Sequence, residues 1–335
     1  MPVTSIPRIL SPADAEQALI QAAIRRHALP EFIAPFRDLY RSPVGFTPWN
    51  GHLQRCAYYA NPKIIKLAAA HGDRVQAMVG GLCLEALAEQ APARYLSQEL
   101  GEALMRTPHP PITAEVLDIL PRLHLLLPKG LLLSEDGLPV EALVIKSGQL
   151  HAPLSPEERE QAAAEMRRHG NLPLIPPELE GQQGVMVAAL TATAAYGWTQ
   201  YLEPQARQRH QELDALDEVE DDAVRSLTET IARVAINALL IHRHEPELIS
   251  TDPAPPRAKG AGFGRQEGRS PLAPTWIGKS FRRERRQAAT GERNAGERGP
   301  VRAHWRRGHW HTVVHGAERS QRRLQWFRPV FVQPS

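Results

Sequence analysis

The stretch LPRLHLLLPKGLLLSEDGLPVEALVIKSG, residues 120–148, decides which fold class this chain can adopt. Its apolar runs are short, and Pro128, Gly130, the Glu-Asp-Gly turn at 135–137 and Gly148 interrupt them. Such a pattern reads as a meander of strands, with Asp136-Gly137 as a hairpin turn.

Outward from the meander, helical periodicity appears on both sides. Upstream, SPADAEQALIQAAIRRH offers Ser11 as an N-cap, Pro12 at the first helical position, and Leu19, Ile20, Ala23 and Ile24 at helical spacing. A second helix start lies at Asn61-Pro62. DRVQAMVGGLCLEALAEQ is a third helical segment, in which Gly80 and Gly81 either weaken the helix or admit a close neighbour. Downstream, SPEEREQAAAEMRRHG has Ser155 as cap, Glu158 completing a capping box and Gly170 as a stop. GVMVAALTATAAYGW, rich in small and β-branched residues, is expected to form one strand. The longest helix is expected from 218 to 244, with an acidic start, a basic end and one apolar stripe through Val224, Leu227, Ile231, Val234 and Leu239. The expected class is therefore α+β. A mainly helical region spans 1–110, a mixed region 111–248, a Pro/Gly-rich basic and mobile linker 249–273, and a small basic β-unit 274–335.

Composition narrows the function classes. With two cysteines, Cys56 and Cys83, neither a disulfide scaffold nor a four-thiolate zinc site is possible, and Cys83 within LCLEAL reads as a small buried apolar residue. There is no secretory leader pattern and no window of the roughly 18 apolar residues a membrane span needs, so the expected setting is the cytoplasm. Residues 251–335 hold 18 Lys+Arg against 6 Asp+Glu, whereas residues 1–250 hold 22 against 31. An acidic body with a basic C-terminal quarter suggests that the tail meets nucleic acid, an acidic partner or the body itself.

RAHWRRGHWHTVVHG, residues 302–316, crowds four histidines, two tryptophans and three arginines into that basic quarter. Together with the turn-like HGAERSQ and then RRLQWFRPVFV, it reads as two strands of a hairpin. Alternation puts His309, His311 and Val313 on one face and Trp310, Thr312 and Val314 on the other. His309 and His311, with His304 or His315, would suit zinc or iron, but no carboxylate is near in sequence and Arg302, Arg306 and Arg307 would repel a cation. Half-buried strand histidines are the plainer reading there, and neither metal nor cofactor is expected. The arginines with interleaved Trp and His would also suit phosphate contacts and base stacking, or the indoles are simply the core of a small β-unit.

His304, Arg306, Arg307, Gly308, His309, Trp310 and His311, followed by Trp326, Pro329, Phe331 and Val332, resemble the terminal signature of the type V-A anti-CRISPR family of phages and plasmids. TWIGKSFRRERR resembles the segment that precedes this signature. The resemblance is strongest over the C-terminal sixty or so residues. It implies a protein that lowers the amount of an RNA-guided type V-A effector nuclease by recognising its nascent N-terminal segment and promoting loss of the transcript. Under that resemblance Trp305, Trp310 and Trp326 are expected to form the aromatic wall of a peptide pocket, with His304, His309 and His311 as polar contacts. Arg306 and Arg307 would orient the chain or meet messenger RNA or ribosome, and Trp276, Gly278, Arg302 and Arg328 would be secondary contacts. A nucleic-acid-binding protein or a metal-assisted RNA nuclease is the alternative, and whether the protein is an enzyme stays open.

Overall fold

The computed structural model describes residues 47–61, 64–65, 68, 74–89, 91–117, 122–160, 164, 176–191, 194–214, 222–253, 273–282, 284–287 and 304–333. The helix expected over 11–27, the later part of the helix opened by Ser155, and the stretch 254–272 lie outside them.

The meander forms as expected. Strand β2 (Arg122–Leu126) pairs antiparallel with β3 (Ala142–Gln149), and Gly137 takes φ +73° in the connection. The chain continues into β4 (Gln183–Leu190) and β5 (Ala195–Tyr201). Here one strand was expected and two form. The Thr191 backbone N–H reaches Ala194 O (3.0 Å), and the Thr191 hydroxyl oxygen accepts from Ala194 N (2.9 Å), so the run folds into a tight turn. Before the meander, β1 (Ala93–Leu96) lies parallel to β2. Two short strands, β6 (Ile249–Thr251) and β7 (Thr275–Ile277), complete a seven-stranded mixed sheet of order β5-β4-β3-β2-β1-β7-β6.

Both faces of the sheet are covered, which explains near-continuous apolar strands where a one-sided sheet would alternate. One face carries Leu126, Ala142, Val144, Met186, Ala188 and Leu190 and packs under α1 (Thr47–Tyr59) and α2 (Arg74–Ala88). Gly80 provides the close approach between helical segments: a Cβ there would meet Tyr59 O at 2.7 Å and Ile65 Cγ1 at 2.6 Å, whereas Gly81 faces open space. Asn61 O accepts from Ile64 N and Ile65 N, consistent with a helix start at that position.

The opposite face carries Leu123, Leu125, Leu143, Ile145, Val185 and Val187. It packs against α3 (Gln98–Arg106) and the long α6 (Asp222–His244), with α4 (Ala114–Leu117) at the periphery, while α5 (Pro204–Asp214) adds Ala206 to the core of the first face. Helix α6 is buried on more than the expected stripe, because the sheet, α3 and the C-terminal strands all contact it. Arg122 and Lys146 pair with Glu85 across the α2 face, and Ser155 and Glu158 close the expected capping box. The result is an α+β fold with a helix layer on each side of the sheet.

Candidate functional site

The C-terminal signature folds into ribbons seated beside α6. Strand β8 (Glu284–Gln287) lies parallel to β12 (Val330–Gln333), which pairs antiparallel with β9 (His304–Arg306). Between them, β10 (His309–His315) and β11 (Gln321–Phe327) form a two-stranded ribbon closed by a turn in which Gly316, Glu318 and Arg319 take positive φ. Gly308 makes the entry to the ribbon possible. A Cβ there would meet Thr107 Oγ1 at 2.7 Å, Trp326 Nε1 at 2.9 Å and Pro329 Cδ at 3.1 Å, so this glycine is needed for steric reasons.

The ribbon has two unlike faces. On the inner face Trp310 pairs with Trp326 and Thr312 with Leu324. Trp310 is half-buried and donates from Nε1 to Asn237 Oδ1 (2.8 Å), with His244 edge-on at 5.9 Å. Trp326 is 3% exposed and lies between Trp310 (6.4 Å) and Phe281 (5.6 Å). Asn237, fully buried in α6, also donates to Thr107 O (2.7 Å) and Leu104 O (3.4 Å), and Arg233 donates to Met105 O (2.9 Å). These carbonyls lie at the end of α3, where helical donors run out, and Leu104 O also accepts from the Thr107 cap N–H (3.1 Å). One asparagine thus fastens α3 and the ribbon to the same helix. Toward the turn the inner face opens: Thr312, Val314 and Arg322 are exposed, so the distal ribbon projects from the body.

The outer face carries His309, His311 and Phe327. The His309 ring lies parallel to Phe327 at 5.1 Å, His311 stands edge-on to it at 6.1 Å, and Phe327 is 41% exposed. Arg306 and Arg307 are exposed at the base, and Arg319, Arg322 and Arg323 are exposed along the far half. Arg328, just beyond Phe327, pairs with Glu247 (2.7 Å) and Glu245 (3.3 Å) at the end of α6. Burial and the neighbouring Glu247 carboxylate push the Glu245 carboxyl above its usual range, and Arg328 opposes them.

The expected site residues are therefore distributed. His309, Trp310, His311 and Trp326 meet on one ribbon, split between its faces, with Arg306 and Arg307 at its base. Strand pairing sets His304 opposite Val332 and Trp305 opposite Phe331, and Arg302 lies outside the described residues. Trp276 belongs to β7 of the main sheet, and Gly278 lies in the bend just after it. Trp276 donates to Asp252 Oδ2 (3.0 Å) and packs 5.4 Å from Tyr95, with the Lys279 ammonium 5.5 Å above its ring. Gly278, at φ +80°, donates its N–H to Leu248 O (2.7 Å) and accepts from Ser97 Oγ (2.7 Å). Sequence reasoning missed Phe327 and Asn237. The only signal for Asn237 was a lone amide in an apolar helical run. Among the described residues, the group of His, Cys, Asp or Glu close enough to hold a metal ion lies elsewhere, at His52, Cys56 and His124.

The architecture is that of an α+β scaffold displaying a basic, exposed β-ribbon. The chain matches the family model described as the anti-CRISPR type V subtype A2 family, AcrVA2-like, over residues 96–334, and it belongs to that family. The match begins at the end of β1 and takes in α6 and all the ribbons, reaching far beyond the C-terminal sixty residues. Membership makes this an anti-CRISPR protein whose target is related to a type V CRISPR effector. No curated protein and no solved structure matches the chain. No helix among the described residues is long and apolar enough to cross a membrane.

Proposed function

We propose that the protein recognises the nascent N-terminal segment of a type V-A effector nuclease during translation and lowers the nuclease's production by promoting loss of its transcript. The observation that carries this reading is the β10–β11 ribbon. Neither of its outer edges pairs with another strand among the described residues, and one face offers a stacked His309–Phe327 pair. An open edge beside an aromatic face suits an extended peptide added as a further strand, with backbone hydrogen bonds for affinity and side-chain contacts for choice. A segment leaving the ribosome still has its backbone groups free.

Phe327 and His309 supply the apolar contact, His311 a polar one, and Arg306 and Arg307 orient the chain. Trp310 and Trp326 act from beneath, holding the ribbon on α6. The excess of Lys+Arg in residues 251–335 favours residence beside ribosomes and messages, which are anionic. Transcript loss is assigned to a recruited host nuclease, a binding role needing no catalytic group on the ribbon. The exposed Arg319, Arg322 and Arg323 favour a second reading, direct RNA binding.

A lysate translating a type V-A effector message separates the two. Wild-type protein is expected to retain N-terminal effector fragments after RNase treatment, and a His309→Ala/Phe327→Ser variant to lose about tenfold or more of that capture. Bulk RNA recovered from any message, falling steeply with salt, with protein partners lost on RNase treatment, would replace peptide recognition by RNA binding.

A further inference from the structure

A buried set of nitrogen and sulfur donors lies on the face of the sheet opposite α6. His52 and Cys56 stand one turn apart on α1, which directs both to the same side of the helix. His124 projects from β2 toward α1 and α2, because its neighbours Leu123 and Leu125 belong to the other face. All three are sealed from solvent, at 1%, 0% and 0% exposure. His52 Nε2 and His124 Nδ1 are 2.9 Å apart and Cys56 Sγ is 3.4 Å from His52 Nε2. One donor atom from each of the three residues lies within 4.8 Å of the others. Cys83, on α2 and also fully buried, shares a thiol hydrogen bond with Cys56.

We propose that His52, Cys56 and His124, with Cys83 as fourth ligand, form a structural zinc site. Zinc bonds of about 2.0–2.1 Å to imidazole nitrogen and about 2.3 Å to thiolate sulfur put tetrahedral donors roughly 3.3–3.8 Å apart. The His52–His124 and His52–Cys56 separations, 2.9 and 3.4 Å, need only widen by a few tenths of an ångström to meet those edges, and the Cys83 thiol, which lies outside the set of donors within 4.8 Å of one another, would turn toward them to close the fourth position. Two imidazoles and two thiols, without an oxygen ligand, suit zinc and disfavour magnesium or calcium. On binding, each thiol would release its proton to solvent. The two thiolates then offset the metal's charge, which leaves a neutral centre suited to a dry core. Arg55, the nearby cation on α1, is paired with Glu141. Four protein ligands with no open position make the site structural and not catalytic.

The consequence is specific to this chain. His52, Cys56 and Cys83 precede residues 96–334, the part matched to the family, whereas His124 lies within it. The metal would clip the helices α1 and α2 to the family sheet. Neutral imidazoles hydrogen-bonded beside two reduced thiols are the alternative, and they predict no metal.

The test uses the full chain, purified without a histidine tag, with zinc counted by native mass spectrometry and stripped protein titrated with cobalt(II). About one metal per chain is expected, with the visible bands and thiolate charge transfer of tetrahedral cobalt. Cys56→Ser is expected to weaken cobalt binding by more than the 10–100-fold typical of losing an outer-shell partner, and Cys83→Ser to remove part of the charge-transfer intensity. A His309→Ala/His311→Ala variant is expected to keep the metal. Should either cysteine variant misfold, the stripped wild-type chain decides alone, because re-added metal is expected to raise its melting temperature. Wild-type protein that takes up neither zinc nor cobalt, whether its thiols stay reduced or join as a disulfide, would overturn the site. So would metal lost from the His309/His311 variant.

Discussion

Asn237 shows how much one side chain can organise. Buried in mid-helix, an amide costs about 1–3 kcal/mol if its groups go unpaired. Here its Nδ2 takes two carbonyls at the end of α3 and its Oδ1 takes the Trp310 indole. Asn237→Ala and Trp310→Phe are each expected to lower unfolding free energy by about 1–3 kcal/mol, and the double variant to fall short of the sum by about 1 kcal/mol. Urea unfolding of the four proteins measures this. Strict additivity would mean that the bond between ribbon and helix contributes nothing. Trp310 was legible in the sequence because alternation fixed its face. Asn237 was not, since its partners Trp310 and Thr107 lie 73 and 130 positions away and no local pattern connects them. The same reasoning applies to the His52, Cys56, His124 and Cys83 cluster. Its one local trace is the four-residue spacing on α1, and the remaining ligands come together only when helix and strand pack.

At the scale of elements, pattern predicted what local chemistry controls. Capping residues marked the turn of helix at Ser155, charge marked the ends of α6, and Asp136-Gly137 marked the turn of the meander. Three-residue strands such as β6, β7 and β9 carry too few positions to alternate visibly, and β7 gains its place by pairing with β6 and with β1, far away in sequence. Where strands and helices meet, burial also sets charge. His151 follows β3 and packs against β5, with its Nε2 3.0 Å from Tyr201 OH. Burial first, then Lys146 of β3 and His210 of α5, lower its pKa to about 4, against the opposing pull of Glu85 and Glu180. An unfolded histidine titrates near about 6.5, so as pH falls the unfolded chain binds the proton first. The stability contributed by neutral His151 is therefore complete above pH ~6.5 and is lost as pH falls toward about 4, by at most roughly 1.4 kcal/mol per pH unit. The urea midpoint of wild type is expected to fall more between pH 7 and 4.5 than that of His151→Gln. Parallel curves would show that the imidazole is not held neutral.

For the whole molecule, the decisive arrangement is that the C-terminal quarter is built into the body of the fold. Strand β7 sits between β1 and β6, with Ser97 N bonded to Ile277 O (3.0 Å) and Trp276 bonded to Asp252. Ile277, Phe281 and Trp326 are buried in the core shared with α6, and Arg328 bridges to Glu245 and Glu247. These contacts join chain on either side of residues 254–272 without needing the covalent link between them. A protease site inserted in that stretch and cut to completion is thus expected to leave two fragments that co-elute on gel filtration and separate only in denaturant. Their melting temperature should fall and become concentration-dependent, as for any complex held by mass action. Fragments that part in native buffer would mean that the sheet and ribbon contacts are too weak to hold the C-terminal unit, and that it acts as a tethered module. The distinction bears on function. A ribbon clamped through Asn237 and Arg328 has little orientational entropy left to lose, so under the proposed peptide recognition, capture of a short nascent segment would depend on the body as well as on the signature residues.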